Sequence, residues 1–332
     1  MTAVDTRNFG RKQRDAPERA AADDRAMIRS MMNGRDWAIL GALALIWGAA
    51  FFFIGVAVRH VPPFTYVLLR LTIAAAAMWT MLAWRRQSLG LPREAWGAIV
   101  LLALLNNALP FTLFGWAQTH IASGLASILN ATTPIWGVIV AHLFTADEKI
   151  TPRKLAGVLI GFAGVAVMIG PGLTDSLGGG VLAELACIVA ALAYALAGVW
   201  ARRFKAMGVS PFSVTTGQLT VGAAMMLPVA LIGDRPWTME WPPLEAWAAI
   251  TALAIVCTAF GYVLYFRLID RAGATNALLV TLLVPPTAIL LGVLFLGEVI
   301  APHDFAGLAL IALGLAAIDG RLLARLRRPV AA

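Results

Sequence analysis

Long apolar runs separated by short polar connections dominate the chain from Trp37 onward. We count ten runs of about 17 to 23 residues, long enough to cross the hydrocarbon core of a bilayer as helices. The runs cover residues 37–58, 63–84, 94–116, 121–143, 154–170, 180–201, 211–232, 246–267, 274–297 and 305–323. Proline and glycine cluster in the connections, as is typical of turns. The pattern predicts an all-α integral membrane protein with ten transmembrane helices.

The composition supports a lipid environment. Of the 332 residues, 60% are hydrophobic and 13% are charged, whereas a soluble domain carries about a quarter charged residues. Residues 1–36 are polar and predict a disordered tail without the apolar stretch of a signal peptide. Cys187 and Cys257 lie inside apolar runs and are expected to be packing residues.

Lysine and arginine are distributed unevenly between the connections. If residues 1–36 are cytoplasmic, 23 of the 26 basic residues lie on the cytoplasmic side. Arg59 and Arg235 lie outside, and Arg70 lies within a span. The positive-inside rule therefore predicts that both termini are cytoplasmic and that the protein lies in the inner (plasma) membrane. The net charge of +8 follows from this topology and does not indicate nucleic acid.

An internal repeat relates the two halves of the chain. EKITPRKLAGVLIGFAG, which begins at Glu148, recurs 150 residues later as EVIAPHDFAGLALIALG, beginning at Glu298. The offset covers five spans, so the second copy enters the membrane upside down, and its Arg-Lys pair has become His-Asp. We expect two inverted five-helix repeats (5+5), residues 37–172 and 178–323, followed by a cytoplasmic tail at 324–332.

Inverted repeats are typical of secondary transporters, in which the two halves rock around a substrate site near the midplane. The chain contains no P-loop, zinc-ligand spacing or GxSxG motif, so we expect neither an enzyme nor a metal or other cofactor. The predicted partners are a small-molecule substrate and the lipid bilayer.

Five segments resemble the EamA-like branch of the drug/metabolite transporter (DMT) superfamily. They are LIWGAAFFFIGVAV, PPFTYVLLRL, HIASGLASILNATTPIWGVIVAHLFTADEKIT, GGGVLAELACIVAALAYALAGVWARR and AGATNALLVTLLVPPTAILLGVLFLGEVI. The resemblance covers residues 37–320. It implies a ten-helix 5+5 fold with a central cavity that moves small metabolites, often exporting amino acids. It also implies that Arg70 is a family feature.

Arg70 lies seven residues into a span, where an arginine costs about 2.5–3.5 kcal/mol on insertion scales. One interpretation is a structural or gating role, for example binding carbonyl groups at helix ends. The other is a counter-charge for a substrate carboxylate. Its inverted counterpart is Gln218, at the same distance after Pro211 as Arg70 is after Pro63.

Polar and aromatic side chains inside the spans are the other candidates for substrate binding. The complete predicted set is Trp47, Arg70, Asn106, Asn107, Asn130, Trp136, Tyr194, Gln218 and Tyr262. Each amide or aromatic ring also fits a packing role or a hydrogen bond between helices.

Three further residues are candidates for conformational or coupling roles. Pro134 and Pro285 interrupt spans four and nine and are predicted hinges. Glu184 either faces water at a cavity mouth or couples protons to transport, because burial favours a neutral carboxyl group. We also considered that Glu184 pairs with Arg70.

The sequence favours a secondary transporter that exports small polar or amphipathic metabolites, foremost amino acids. A nucleotide-sugar or multidrug carrier of the same fold is the alternative within transport. A membrane-embedded sensor or enzyme is the alternative from another class, although all four histidines fall at span ends. Glycine-rich faces in spans five and ten fit packing within one chain or a homodimer.

Overall fold

A computed structural model describes residues 33–146, 149–174, 179–272, 277 and 280–319 of the chain. The predicted tails, 1–36 and 324–332, lie outside the described residues except for 33–36. The described residues form helices and no strand. The helices are α1 (Gly34–Ala57), α2 (Pro63–Trp84), α3 (Ala95–Ala117), α4 (Ser123–Phe144), α5 (Pro152–Thr174), α6 (Gly179–Ala206), α7 (Pro211–Gly233), α8 (Leu244–Ala252, continued by Leu253–Phe260 and Gly261–Ala272), α9 (Val280–Leu291, continued by Gly292–Leu296) and α10 (Pro302–Asp319).

Helices long and apolar enough to cross a membrane dominate the fold. Helices α1 to α4 and α6 to α8 meet this criterion, and shorter apolar helices cover 283–296 and 302–318. Many large apolar side chains on their outer faces are exposed, for example Leu45, Leu159 and Phe295, as expected for surfaces that contact lipid. The prediction of a helical membrane protein is confirmed, whereas the ten-span 5+5 arrangement stays a prediction.

The charged residues distinguish the two ends of the helix bundle. One end, which we call the basic end, carries Arg85, Arg203 and Arg267 at the ends of α2, α6 and α8. The opposite end carries Asp234 after α7 and Glu298 after α9. These names identify the two ends without assigning a compartment to either.

Helix packing crosses the two halves of the chain. Helix α1 packs mainly against α9 and α8, and α6 packs mainly against α3 and α4. Helix α2 packs against α7, and α5 packs against α10. We call α1, α8 and α9 the α1 bundle, and α3, α4 and α6 the α6 bundle. Each bundle therefore contains one helix from the other half.

Glycines let α5 and α10 approach each other closely. A Cβ atom at Gly157 would lie 2.5 Å from the carbonyl oxygen of Gly314, and one at Gly164 would lie 2.7 Å from that of Gly307. Such positions accept only glycine without backbone movement. The small-residue faces thus pack against each other within one chain, while the homodimer stays a prediction.

We expect Gly157→Ala to destabilise the protein by about 1–3 kcal/mol, because the added methyl group overpacks the contact between α5 and α10. Gly137→Ala is the matched control, since a Cβ there meets nothing within 4 Å. The measurement is the apparent melting temperature in detergent. Equal melting temperatures for the two variants would contradict the described packing.

Candidate functional site

Arg70 of α2 is a buried charge held by neutral groups. Its side chain is 6% exposed, its Nε donates to Thr258 Oγ1 at 3.0 Å, and its Nη1 donates to the Tyr66 hydroxyl at 3.3 Å. The guanidinium carbon lies 3.6 Å from the centre of the Phe111 ring, a cation–π contact. Among the described residues, no carboxylate lies within ion-pair distance of Arg70. A buried charge without a counter-ion is costly, which makes Arg70 a candidate for a functional role.

Four further polar residues meet between the two bundles. Asn106 Nδ2 donates to Gln218 Oε1 and to the Tyr262 hydroxyl, both at 3.0 Å, and Asn107 Nδ2 lies 3.4 Å from the same hydroxyl. These bonds join α3 of the α6 bundle to α7 and to α8 of the α1 bundle. Asn107 is fully buried, and its Oδ1 has no partner among the described residues. We call Asn106, Asn107, Gln218 and Tyr262 the amide cluster.

Helix α8 connects Arg70 to the amide cluster. Thr258, which binds Arg70, and Tyr262, which binds Asn106, lie one turn apart on this helix. The segment Leu253–Phe260 is a π-helix, in which Thr258 Oγ1 donates to the carbonyl of Leu253, five residues back, at 2.8 Å. A second π-helical stretch, Leu104–Ala108, presents the two asparagines of α3. Such stretches are frequent at functional sites.

A cavity at the basic end reaches Tyr262 of the amide cluster. Its volume is about 210 Å³, and its lining includes Arg85, Phe212, Tyr262, Phe266 and Arg267. Tyr262 thus borders the cavity and binds the amide cluster. Arg70 is not part of the lining and lies deeper, behind these groups.

The predicted aromatic residues occupy different surroundings. Trp47 lies beside the π-helix of α8, since its Nε1 donates to the carbonyl of Cys257 at 3.1 Å and its ring packs 5.2 Å from Tyr265. The ring of Tyr194 stacks on Phe114 at 6.2 Å. The contacts of Trp47 therefore lie within the α1 bundle, and that of Tyr194 lies within the α6 bundle.

Two other candidates lie apart from the amide cluster. Asn130 is bonded within its own helix, where Thr133 Oγ1 donates to its carbonyl at 2.7 Å. The Trp136 ring packs edge-on against Phe162 of α5 at 5.0 Å, and its buried Nε1 has no partner among the described residues. The structure therefore brings Arg70, Asn106, Asn107, Gln218 and Tyr262 together but not Asn130 and Trp136.

Glu184 of α6 does not pair with Arg70. It is 9% exposed, and its Oε2 has no hydrogen-bond partner among the described residues. Arg70 instead binds the hydroxyl groups of Thr258 and Tyr66, so the pairing considered from the sequence is wrong. The coupling role of Glu184 stays a prediction. Within the described part of the chain, no group of three His, Cys, Asp or Glu could hold a metal ion.

The two predicted hinge prolines differ in their local structure. Pro134 follows a break in α4 at Ala131 and Thr132, between the segments Ser123–Asn130 and Thr133–Phe144. Pro285 lies within the continuous segment Val280–Leu291 of α9. A hinge role for either residue stays a prediction.

Sequence reasoning missed three residues that contact Arg70: Tyr66, Phe111 and Thr258. Their types are common in apolar helices, so composition does not distinguish them. A spacing signal was available for two of them, because Tyr66 precedes Arg70, and Thr258 precedes Tyr262, by one helical turn.

Comparison with known proteins identifies the family. The profile of the EamA-like transporter family matches residues 36–170 and 181–318. The chain belongs to the EamA-like transporter family. An uncharacterized transporter of Bacillus subtilis, YoaV, is 26% identical to it, and the alignment covers 82% of this chain and 93% of that protein. A probable terminal-alkyne amino-acid exporter of Streptantibioticus cattleyicolor is also 26% identical, with 88% and 95% covered.

A solved crystal structure supports the fold of this EamA-like protein. It aligns with a TM-score of 0.63 and 23% sequence identity, covering 90% of this chain and 100% of the other. The names of the family and of these relatives point to a transporter, as the sequence predicted.

We expect Gln218→Ala to lower the rate of solute transport several-fold while expression and melting temperature change little, because it removes one acceptor of the amide cluster. Asn130→Ala is the comparison, since the oxygens of Asn130 accept only from Thr133 of the same helix among the described residues. The measurement is the initial efflux rate from cells. Full activity of Gln218→Ala would remove this residue from the site.

Proposed function

We propose that this EamA-like protein is a secondary transporter that exports amino acids or related small carboxylates. Transport proceeds by alternating access between two inverted five-helix repeats in the inner membrane, with the basic end in the cytoplasm. The observation that carries the proposal is the buried guanidinium of Arg70, which has no carboxylate partner among the described residues and lies where the two bundles meet.

The packing of the helices supports alternating access. Helix α1 packs on α9 as α6 packs on α4, and α2 and α7 pack on each other as α5 and α10 do. A two-fold axis in the membrane plane that relates the first five helices to the second five exchanges the α1–α9 pair with the α6–α4 pair. The same axis maps the α2–α7 pair and the α5–α10 pair onto themselves. Two such bundles can rock about the region between them, which holds the amide cluster.

The charges of the site fit a zwitterion. A guanidinium binds a carboxylate through two parallel hydrogen bonds, and among the described residues Arg70 donates one bond from Nε and one from Nη1. The buried Asn107 Oδ1, an acceptor without a partner among the described residues, fits an ammonium donor. The site therefore offers one group for each end of an amino acid.

The route to the site favours a small solute with a carboxylate. Arg85 and Arg267 both line the cavity, and like charges around a mouth raise the local concentration of anionic groups. The amino-acid exporter named among the relatives agrees with this class.

Export of this kind requires an energy source other than ATP, because the sequence has no ATP-binding motif. We propose that an ion gradient drives it. Glu184, a buried carboxyl group whose Oε2 has no hydrogen-bond partner among the described residues, is the candidate for proton coupling.

The test is solute release from proteoliposomes that contain the purified protein and one labelled amino acid at a time, with and without a pH gradient. We expect saturable release of a subset of amino acids. Arg70→Gln should lower the rate by more than about tenfold, because it removes the charge that binds the carboxylate. Arg70→Lys, which keeps the charge but loses the planar geometry, should retain more activity.

Release of no amino acid by folded protein would contradict the proposed substrate class. Tests would then turn to nucleotide sugars and drug-like cations, the alternatives of the same fold. Equal activity of Arg70→Gln and the natural protein would contradict the role of Arg70, whatever the solute.

A further inference from the structure

Two helices of the first half begin at the opposite end without a capping side chain of their own. The N-cap residue is Pro62 for α2 and Ala122 for α4, and neither supplies a side-chain hydrogen bond. The first N–H groups of a helix have no partner within the helix and need an acceptor. The acceptor for these two helices must come from elsewhere.

Carboxylates of the second half supply both acceptors. Glu298 accepts hydrogen bonds from the Ser123 backbone N–H at 2.7 Å, from Ser123 Oγ at 2.9 Å and from the Gly124 N–H at 3.2 Å. Asp234 accepts from the Thr65 N–H at 2.6 Å and from Thr65 Oγ1 at 2.9 Å. We call these two sets of bonds the cross-half caps. Charged acceptors at a helix N-terminus form stronger bonds than neutral ones.

The end of α9 is shaped to hold Glu298 in this position. Gly297, with φ of +68°, ends the helix in the left-handed conformation that favours glycine. Gly292 leaves space for the contact, because a Cβ there would collide with the Glu298 carboxylate and lie 2.9 Å from Ser123 Oγ.

Among the described residues, the basic end has no equivalent of the Asp234 cap. In the repeat that aligns Pro63 with Pro211, the counterpart of Thr65 is Ser213. The Ser213 N–H donates to Ser210 Oγ at 3.1 Å, so α7 carries its own cap. At that end α2 and α7 flank the cavity, which is lined by Arg85 and Phe212. At the opposite end this helix pair is joined by the hydrogen bonds of Asp234. At the basic end it is joined by the cation–π contact of Arg85 with the Phe212 ring, at 5.4 Å, beside the cavity.

We propose that the cross-half caps are a latch that holds the opposite end closed and biases the transporter toward the state open at the basic end. The Glu298 cap ties α9 of the α1 bundle to α4 of the α6 bundle, and the Asp234 cap ties α7 to α2. Both caps must break before the opposite end can open. This inference rests on the proposed alternating access.

The test measures how fast single reporter cysteines react with a maleimide in nanodiscs, where both ends of the protein are accessible. The background carries Cys187→Ala and Cys257→Ala. Gln118→Cys reports on the opposite end, because Gln118 is buried beside Ser123, both within contact distance of a Cβ at Gly55. Val263→Cys reports on the basic end, because Val263 lines the cavity.

We expect Glu298→Gln to raise the labelling rate at position 118 roughly tenfold, since it removes a charged acceptor of three bonds. The same variant should lower the rate at position 263, because the population shifts away from the state open at the basic end. Asp234→Asn should act in the same directions. Glu245→Gln is the control and should change neither rate, since Glu245 pairs with His60 within the α1 bundle at 2.7 Å.

Ala122→Asp provides an independent variant that does not weaken the helix. Ala122 has the extended backbone of an N-cap residue, so an aspartate there gives α4 its own acceptor and should shift both rates as Glu298→Gln does. Unchanged labelling rates in Glu298→Gln, Asp234→Asn and Ala122→Asp would contradict the proposed latch. Faster labelling at both positions would also overturn it, because that result indicates local loosening. The labelling assay contains no transported solute, so its result does not depend on the proposed substrate class.

Discussion

The buried charge of Arg70 is the constraint on which the site depends. A guanidinium in the membrane interior is stable only where dipoles and aromatic rings replace water. Thr258, Tyr66 and the Phe111 ring do this, and they come from three helices. The π-helix of α8 turns Thr258 toward Arg70 and places Tyr262 against the asparagines of α3. Because these neighbours are neutral, the charge remains available to an anionic group.

The packing of the two halves places this charge at the boundary between the two bundles. Helices α1 and α6 each join helices of the other half, so the bundles meet along α2, α3, α7 and α8. The amide cluster crosses that boundary near the middle, and the cross-half caps cross it at the opposite end. Tight glycine contacts between α5 and α10 lie to one side. The hydrogen bonds across the boundary therefore lie in its middle and at the opposite end, and the cavity lies at the basic end.

The sequence predicted the helical membrane fold and the family because apolar runs and repeated motifs are long-range signals. It also identified Arg70, Asn106, Asn107 and Gln218, since polar residues are rare within apolar spans. It did not separate Asn130 and Trp136 from them, because the direction a side chain faces depends on a local break in α4 and on the packing of α5. The roles of Thr258, Asp234 and Glu298 were not predictable, since each depends on a partner more than 160 residues away in the chain.

The most direct test of the central claim compares the heats of binding of two ligands to the purified protein. One ligand is an amino acid that the protein releases, and the other is its amide, in which an uncharged group replaces the carboxylate. If Arg70 binds the carboxylate, the acid should bind and the amide should bind at least about tenfold more weakly. The preference should disappear in Arg70→Gln. Equal binding of acid and amide to the natural protein would contradict the account, because the buried charge would then have a purely structural role.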